Sequence, residues 1–536
     1  MSNPAVNVLM VFPRFSPNSF WNYRETCAVA GRKYSAAPLG LITVAALLPS
    51  EWSIRLVDRN IEDLPDGDLD WADMVMIGGM LPQQNDTKQV IALAHAHDKP
   101  VVLGGPDVTC SPSVFEEVEF RLLGEVEDIM TDFLTAWHRG DRQGVFSSQT
   151  FPNIHHSPVP RFDLLKIQHY MHVGVQYSRG CPFNCEFCNI FELNGRVPRL
   201  KTSEQMLREL DTLHALGYRG HVDIVDDNFI GNQKAVRPFL EALVDWSESK
   251  GRPFAFSAEA SLNLADSDAV LDLMRRCGFF GIFVGIETPD PQTLLSVKKR
   301  QNVGRDMAES IHKIHRAGIF VNAGFIIGFD AETESIAQAM ISCIEEMAVP
   351  ICMVGLLYAL PDTQLSHRLQ QEGRLHPECD YVGGDNSADQ CTSGLNFDTL
   401  RPRKDILQDY RTVLKTIYHP VSFFGRVSRM ARIMDILPER FPNVLPHLLR
   451  DIRSFLRITW RLGVRDREVR GSYWKALADC LLHNPPAFKT VISFAALYLH
   501  LWPFSGFMDD SLREQIEALS VPEGKLPARL ERSMRG

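Results

Sequence analysis

The octapeptide Cys181-Pro182-Phe183-Asn184-Cys185-Glu186-Phe187-Cys188 follows a strand-like run, Val173 to Tyr177, and the turn pair Arg179-Gly180. Three thiols at spacings of four and three residues can converge on one inorganic centre while the loop wraps round it. The usual closed [4Fe–4S] site takes four cysteine ligands, so three leave one iron open. An open iron can bind a ligand directly, which makes the site a place for chemistry as well as electron storage. A tetrahedral zinc site would need a fourth Cys or His at finger spacing, and neither His169 nor His172 follows the loop in that way. Buried structural cysteines rarely come as a spaced triplet on a Gly-Cys-Pro turn.

Downstream of the loop, to about Gly373, apolar strand runs alternate with amphipathic helices. The strands are expected at Val222–Val225, Phe254–Ser257, Ile282–Ile286, Phe320–Phe329 and Met353–Leu360. With Val173–Tyr177 they make six strand–helix repeats. Their carboxyl ends carry the chemistry-bearing residues: Asp226-Asp227-Asn228, Glu259, and Gly285-Ile286-Glu287-Thr288-Pro289. Taken singly, each acid reads equally well as a helix N-cap or a solvated strand end.

Upstream, Val6–Phe12, Ile54–Val57, Met74–Ile77 and Val101–Leu103 read as strands, with helices between them. Such alternation implies βαβ units and a parallel sheet. Ligands of such sheets lie beyond the strands' carboxyl ends, here Gly78-Gly79 and Gly104-Gly105-Pro106. No G-x-G-x-x-G follows the first strand, which weakens a dinucleotide reading. The stretch 149–172, with His155-His156 and three prolines, reads as a linker whose histidines are solvated. Beyond Asn386 the pattern turns helical: Lys404–Tyr418, Gly425–Leu437, Leu445–Leu462, Tyr473–Leu482, Phe488–Leu501 and Asp510–Leu519. This part is basic in patches (Arg426, Arg429, Arg432, Arg450, Arg453, Arg457, Arg461) and carries Trp460, Trp474 and Trp502. Basic, aromatic amphipathic helices can lie on anionic membranes; helices packed on a core with solvated arginines are the commoner case.

The bulk numbers agree with several domains. At 536 residues the chain exceeds one core. A net charge of −10 excludes a nucleic-acid partner held by phosphate contacts. Eleven cysteines, scattered apart from the triplet, point to a reducing compartment. Met1 to Phe15 lacks a basic region before its apolar run and is not a signal peptide. No run is expected to span a membrane, the nearest, Val491–Leu501, being short and interrupted by His500. The expected location is the cytoplasm, with peripheral contact to the inner membrane as the alternative.

The spacing C-x-x-x-C-x-x-C, with Phe187 before the last cysteine, resembles the signature of radical S-adenosylmethionine (SAM) enzymes. The resemblance implies that Cys181, Cys185 and Cys188 are the catalytic metal ligands of a [4Fe–4S] cluster whose open iron binds SAM. Phe187 would then lie near the adenine. Gly285 and Glu287 match a family motif at the SAM site, and Gly324 to Asp330 resembles the strand beside the adenosine. Asp226, Asp227 and Glu259 would face the rest of SAM, although the usual glycine-rich version is Asp-Asp-Asn here. The first segment, with Pro38-Leu39-Gly40-Leu41, Gly104-Gly105-Pro106 and Leu123-Gly124-Glu125, looks like the cobalamin-binding domain of the B12-dependent class. The absence of D-x-H-x-x-G implies a corrin bound without a protein histidine, with Gly78, Gly79, Gly104 and Gly105 as contacts. A Rossmann-like domain with no ligand stays open beside this reading.

The resemblance thus implies an α/β fold: a Rossmann-like cobalamin-binding domain (1–148), a linker (149–172), a partial (β/α)₆ radical SAM core (173–385) and a helical C-terminal domain (386–536). Phe12-Pro13-Arg14-Phe15 with Phe20-Trp21 and the helical extension is similar to the hopanoid C-2 methylase subgroup. The implied activity is methyl transfer from SAM, via methylcobalamin, to an unactivated carbon of a small molecule or hopanoid-like lipid. An external donor such as flavodoxin or ferredoxin would supply electrons. The alternatives are rearrangement or cyclisation without methyl transfer, and a non-catalytic corrin-binding iron–sulfur protein.

Overall fold

The computed structural model describes residues 5–16, 18–376, 391–392, 394–436 and 445–520. Its first sheet grows from β1 (Asn7–Phe12), an unbroken apolar run whose centre is buried on both faces, as a central parallel strand must be. The next strand, β2 (Tyr34–Ala36), leaves this sheet. The chain then returns through β3 (Ser53–Asp58), β4 (Met74–Gly78), β5 (Val101–Gly104), β6 (Phe120–Leu123) and β7 (Gly144–Ser147). The order is β3-β1-β4-β5-β6-β7, all parallel. This is the flavodoxin-like winding, with its switch point between β1 and β4, where ligands of such sheets sit. Side chains alternate between two cores, Leu9, Val75 and Leu103 on one face and Val8, Met76 and Val102 on the other.

The second sheet is built from β8 (Tyr170–Val175), β11 (Gly220–Ile224), β12 (Phe254–Ala260), β13 (Phe279–Glu287), β14 (Phe320–Ile327) and β15 (Cys352–Leu356). Between β8 and β11 lies a small antiparallel pair, β9 (Ser178–Arg179) and β10 (Arg199–Leu200). The six expected repeats are present, and the sheet order is β15-β14-β13-β12-β11-β8-β2. The seventh member is unexpected: β2 pairs in parallel with β8, Tyr34 opposite Tyr170 and Ala36 opposite His172. A partial barrel with outer helices results. Thr202 caps the first of these helices, Ser203–Ala215, through a reciprocal bond with Gln205.

Among the described residues five α-helices longer than ten residues follow: Arg403–Ile417, Pro420–Ile433, Leu445–Ile458, Arg470–His483 and Phe488–Ala518. The last was expected as two helices broken near Pro503. Instead it runs through Pro503 for 31 residues, because Phe504, Met508 and Leu512 continue the buried face of Val491, Phe494 and Tyr498. By length and composition 485–518 could cross a membrane, with mean hydropathy 1.4 in its most apolar window, but 56% of that window is buried in the protein. It serves here as the core of the helical region. The expected helix end at Leu437 and the expected boundary at 385/386 lie outside the described residues, as does the side chain of Arg450.

Several expected basic-patch residues are structural. Buried Arg426 donates to Val349 O at 2.8 Å and pairs with Glu345 at 2.5 Å. Arg429 also pairs with Glu345, Arg432 with Asp479, and Arg461 with Glu25. The Glu345 pairs dock a helix on the barrel, the Glu25 pair ties the helical region to the first segment, and Arg432–Asp479 joins two of the helices to each other.

Candidate active site

The cysteine loop is held from every side. Before it, Gly180 has φ +98°, and a Cβ there would lie 2.8 Å from the carbonyls of Asn194 and Gly195; only glycine fits. Cys181 N bonds Gly195 O at 3.1 Å, Glu186 N bonds Val297 O at 3.0 Å, and Leu365 N bonds Glu186 O at 3.0 Å. Asp226 accepts from Tyr177 N, Ser178 N and Ser178 Oγ at 2.6–2.8 Å. Asp227 accepts from Gly180 N and Asn194 Nδ2, each at 3.0 Å. Both acids thus anchor the entry to the loop. Burial pushes Asp226 up to about 7.

The three thiols are free of disulfides and close enough to repel one another electrostatically. Burial raises all three, Cys188 to about 12. Lys299 works the other way, as do donors aimed at sulfur: Ile190 N lies 3.5 Å from Cys188 Sγ and Gln301 Nε2 lies 3.8 Å from Cys185 Sγ. Among the described residues no three His, Cys, Asp or Glu side chains stand tightly enough for a single metal ion. Three mutually facing thiols, with sulfur-directed donors and a nearby cation, suit a multi-iron cluster, in which each iron takes its own thiolate; they do not suit zinc.

Beside the loop, Glu287 binds Lys299 Nζ at 2.6 Å with both side chains nearly buried. Gly285 makes room for this pair, since a Cβ there would lie 2.3 Å from Glu287 Oε1 and 2.9 Å from Lys299 Nζ. Glu287 sits at φ +68°, strain that costs of order 1–3 kcal/mol and clusters at functional sites. Phe187 packs against Phe329, ring centres 5.9 Å apart.

Gly281, Gly285, Gly324 and Gly355 line an open lumen, where a closed barrel would be packed; the Phe320 ring, the Glu287–Lys299 pair and the Phe283 ring lie against the first three. Glu259 faces this lumen. Its side chain is exposed to the cavity space, and the surrounding protein, with Asp223, Asp227 and Asp226 nearby, pushes its carboxyl above the usual range. Below it lies a group that sequence reasoning missed. Ser257 donates its hydroxyl to Asp223 and lies 2.6 Å from His221 Nε2, and His172 rests 4.9 Å, ring to ring, from His221. Burial holds both imidazoles below their usual range. Period-two alternation puts each of these residues inward on its strand; only the register between strands brings them together.

At the first sheet's carboxyl edge Gly78, Gly79, Gly104 and Gly105 all line the same space. Their need for glycine comes largely from packing, however. A Cβ on Gly105, at φ +103°, would lie 2.8 Å from Gly79 O, and one on Gly78 would lie 3.1 Å from Leu41. Of the first segment's glycines that line the cavity, Gly40 and Gly124 have nothing within 4 Å of a Cβ. The described residues of the first segment that line it include no histidine.

A charged joint locks this edge to the cysteine loop. Arg179 pairs with Glu125 at 2.6 Å and Glu127 at 2.8 Å, and Arg199 pairs with Glu125 and donates to Pro152 O at 2.8 Å. Burial works against ionisation of Glu127, but the Arg179 guanidinium outweighs it and holds the carboxyl below its usual range.

Phe187, Cys188, Asp226, Asp227, Glu259 and Glu287, with the glycines of the first sheet's edge, border one cavity of about 2620 Å³. Ordinary ligand pockets hold roughly 300–1,000 Å³, so it has room for several large ligands at once. It runs from Gly79 and Gly124, past Phe187 and Cys188, down the lumen to Phe320, Phe455 and Leu497. Trp21, edge-on to Phe283 at 5.7 Å, forms part of its wall.

A fold with this loop at the carboxyl ends of a partial barrel defines a radical SAM protein. The superfamily model described as "Radical SAM superfamily" matches residues 175–343, and a domain of unknown function matches 363–514. An uncharacterised methyltransferase of Synechocystis sp. is 39% identical over 513 residues, covering 95% of this chain and 94% of that protein. The hopanoid C-2 methylase of Rhodopseudomonas palustris is 35% identical over 480 residues, covering 87% and 88%. Among solved structures, the radical SAM methyltransferase TsrM from Kitasatospora setae, with cobalamin and a [4Fe–4S] cluster bound, superposes with a TM-score of 0.59 at 15% identity, covering 89% of this chain and 100% of that one. The cobalamin-dependent radical enzyme OxsB gives 0.57 at 15%, covering 99% and 83%. The chain belongs to the radical SAM enzymes, in the group that contains the hopanoid C-2 methylase. As a radical SAM enzyme it works with a [4Fe–4S] cluster and SAM.

Proposed function

We propose that the enzyme transfers a methyl group from SAM, by way of a bound cobalamin, to an unactivated carbon of an apolar fused-ring lipid. The observation that carries this reading is the single, largely apolar cavity joining the glycine edge of the first sheet, the cysteine loop and the barrel lumen. When bound, the cluster and SAM supply the radical that removes a substrate hydrogen, and the corrin supplies the methyl group.

The chain's own residues bind, orient and exclude water. Cys181, Cys185 and Cys188 would hold the cluster, with Lys299 offsetting its negative charge and Glu287 fixing Lys299. Phe187 would lie against the adenine. Asp227 and Glu259 offer carboxylates to a cationic ligand with ribose hydroxyls, while Asp226, whose oxygens are taken by Tyr177 and Ser178, positions the loop. Gly40 and Gly124, with Gly78, Gly79, Gly104 and Gly105 behind them, would seat the corrin. The Glu125 joint sets the distance between the two cofactor sites, and distance governs how often a reactive carbon meets its partner. His172 and His221, with Ser257, present hydrogen-bonding groups to a polar substituent deep in the lumen. We place the enzyme in the cytoplasm, supplied with electrons by a flavodoxin or ferredoxin.

The test is anaerobic turnover of cobalamin-loaded enzyme with dithionite, methyl-labelled SAM and a lipid extract. Label in an apolar product supports the proposal. Deoxyadenosine without labelled product would point to rearrangement instead.

A further inference from the structure

The helix Leu445–Ile458 and the π turn that prolongs it, Thr459–Arg465, carry Ile452, Leu456, Trp460 and Val464 at a regular spacing of four. These are 45, 59, 63 and 49% exposed. Trp474 on the adjoining helix Arg470–His483 bonds Gly463 O at 2.9 Å, and Leu481 and Leu482 on that helix are exposed as well. Large apolar side chains in such a row are rarely left in water without a partner. Around them the surface is basic. Residues 451–483 hold seven Lys or Arg against four Asp or Glu, in a chain whose net charge is −10. Arg453, Arg457, Arg465, Arg467, Arg470 and Lys475 are exposed. The same helix forms the lower rim of the cavity, through Ile452, Phe455 and Ile458 facing Phe488, Ile492 and Leu497.

We infer that this face docks on an anionic lipid bilayer, and that an apolar substrate passes from the bilayer into the cavity between Ile452, Phe455 and Phe488; the inference rests on the lipid-substrate reading above. Apolar residues ringed by arginines, with tryptophans among them, are the composition of a helix lying in a membrane interface. A binding surface for another protein would have no need of a cavity mouth at its edge.

The test uses the cluster-loaded enzyme without substrate, sedimented with vesicles of phosphatidylglycerol and phosphatidylcholine or of phosphatidylcholine alone. Binding is expected to favour the anionic vesicles and to weaken with salt. Leu456→Ser/Trp460→Ser/Val464→Ser should lower vesicle binding by at least about ten-fold, and Arg453→Gln/Arg457→Gln should remove the preference for anionic lipid. All five positions are exposed, so iron content and circular dichroism should match the parent. Equal binding by the triple variant, no vesicle binding by the parent, or a dimer by light scattering that the triple variant abolishes would overturn the inference. Vesicle binding needs no turnover, so its failure leaves methyl transfer standing. Intact docking with no labelled lipid would remove the lipid substrate alone.

Discussion

Replacing Glu125 with glutamine tests whether the charged joint sets the working geometry. Glu125 is nearly buried and shared by two guanidiniums, Arg179 at 2.6 Å and Arg199. Removing one partner of a buried pair costs roughly 3–5 kcal/mol. Arg179 keeps Glu127 at 2.8 Å and Arg199 keeps Pro152 O at 2.8 Å, so the low end, about 3 kcal/mol, applies. At roughly 2–4 °C per kcal/mol for a large domain, the thermal midpoint should fall by about 6–12 °C. Because Arg179 stands two residues before Cys181, the loop should also shift against the first sheet. The ratio of deoxyadenosine to methylated product should then rise, while SAM cleavage persists. The double variant Glu125→Gln/Arg199→Met should show non-additive losses, as coupled partners do. A midpoint change under about 2 °C, additive losses and an unchanged product ratio together would refute the reasoning.

Cys185→Ala should abolish SAM cleavage and lower bound iron, measured by colorimetric iron assay; cleavage at the parent rate removes the cluster assignment. Gly40→Leu, where a side chain meets open cavity, should leave the thermal midpoint within about 2 °C yet weaken cobalamin binding, followed by its visible spectrum. Gly105→Ala forces a Cβ to 2.8 Å from Gly79 O at positive φ and should lower the midpoint by several degrees whether or not cobalamin is present. Asp58 is buried, accepts from Tyr170 OH at 2.9 Å, and is raised by burial to about 6. Its folded pKa lies above the unfolded value near 3.9, so its contribution is full below about pH 4 and is lost as pH rises through about 6. Asp58→Asn should therefore flatten the fall in thermal midpoint between about pH 4 and 7; an unchanged slope would reject the assignment.

Local chemistry was legible in the chain, and long-range register was not. The cysteine loop, the Gly285–Glu287 turn and the six barrel strands announce themselves through spacing and apolar runs that need no partner to be recognised. Tyr34-Ser35-Ala36 is too short to show a period, and it becomes a strand only because Tyr170 and His172 offer it an edge. Pro503 argues locally for a break, yet one lost hydrogen bond is outweighed by the buried face that continues through Leu512. Asp223, Ser257, His221 and His172 lie on three strands whose positions could be read, but their meeting depends on parallel register, which no local signal carries. The glycines divide similarly: a strand-end Gly-Gly marks close approach, but whether a ligand or Gly79 itself comes near is decided by the neighbouring loop.

The strand that leaves the first sheet to join the barrel rules out one way of working. With β2 fastened beside β8 and Asp58 accepting a hydrogen bond from Tyr170, the two sheets are stitched together at one edge. Turning one sheet against the other would have to break these bonds, so cofactor and substrate meet in a cavity whose two walls are tied at this edge.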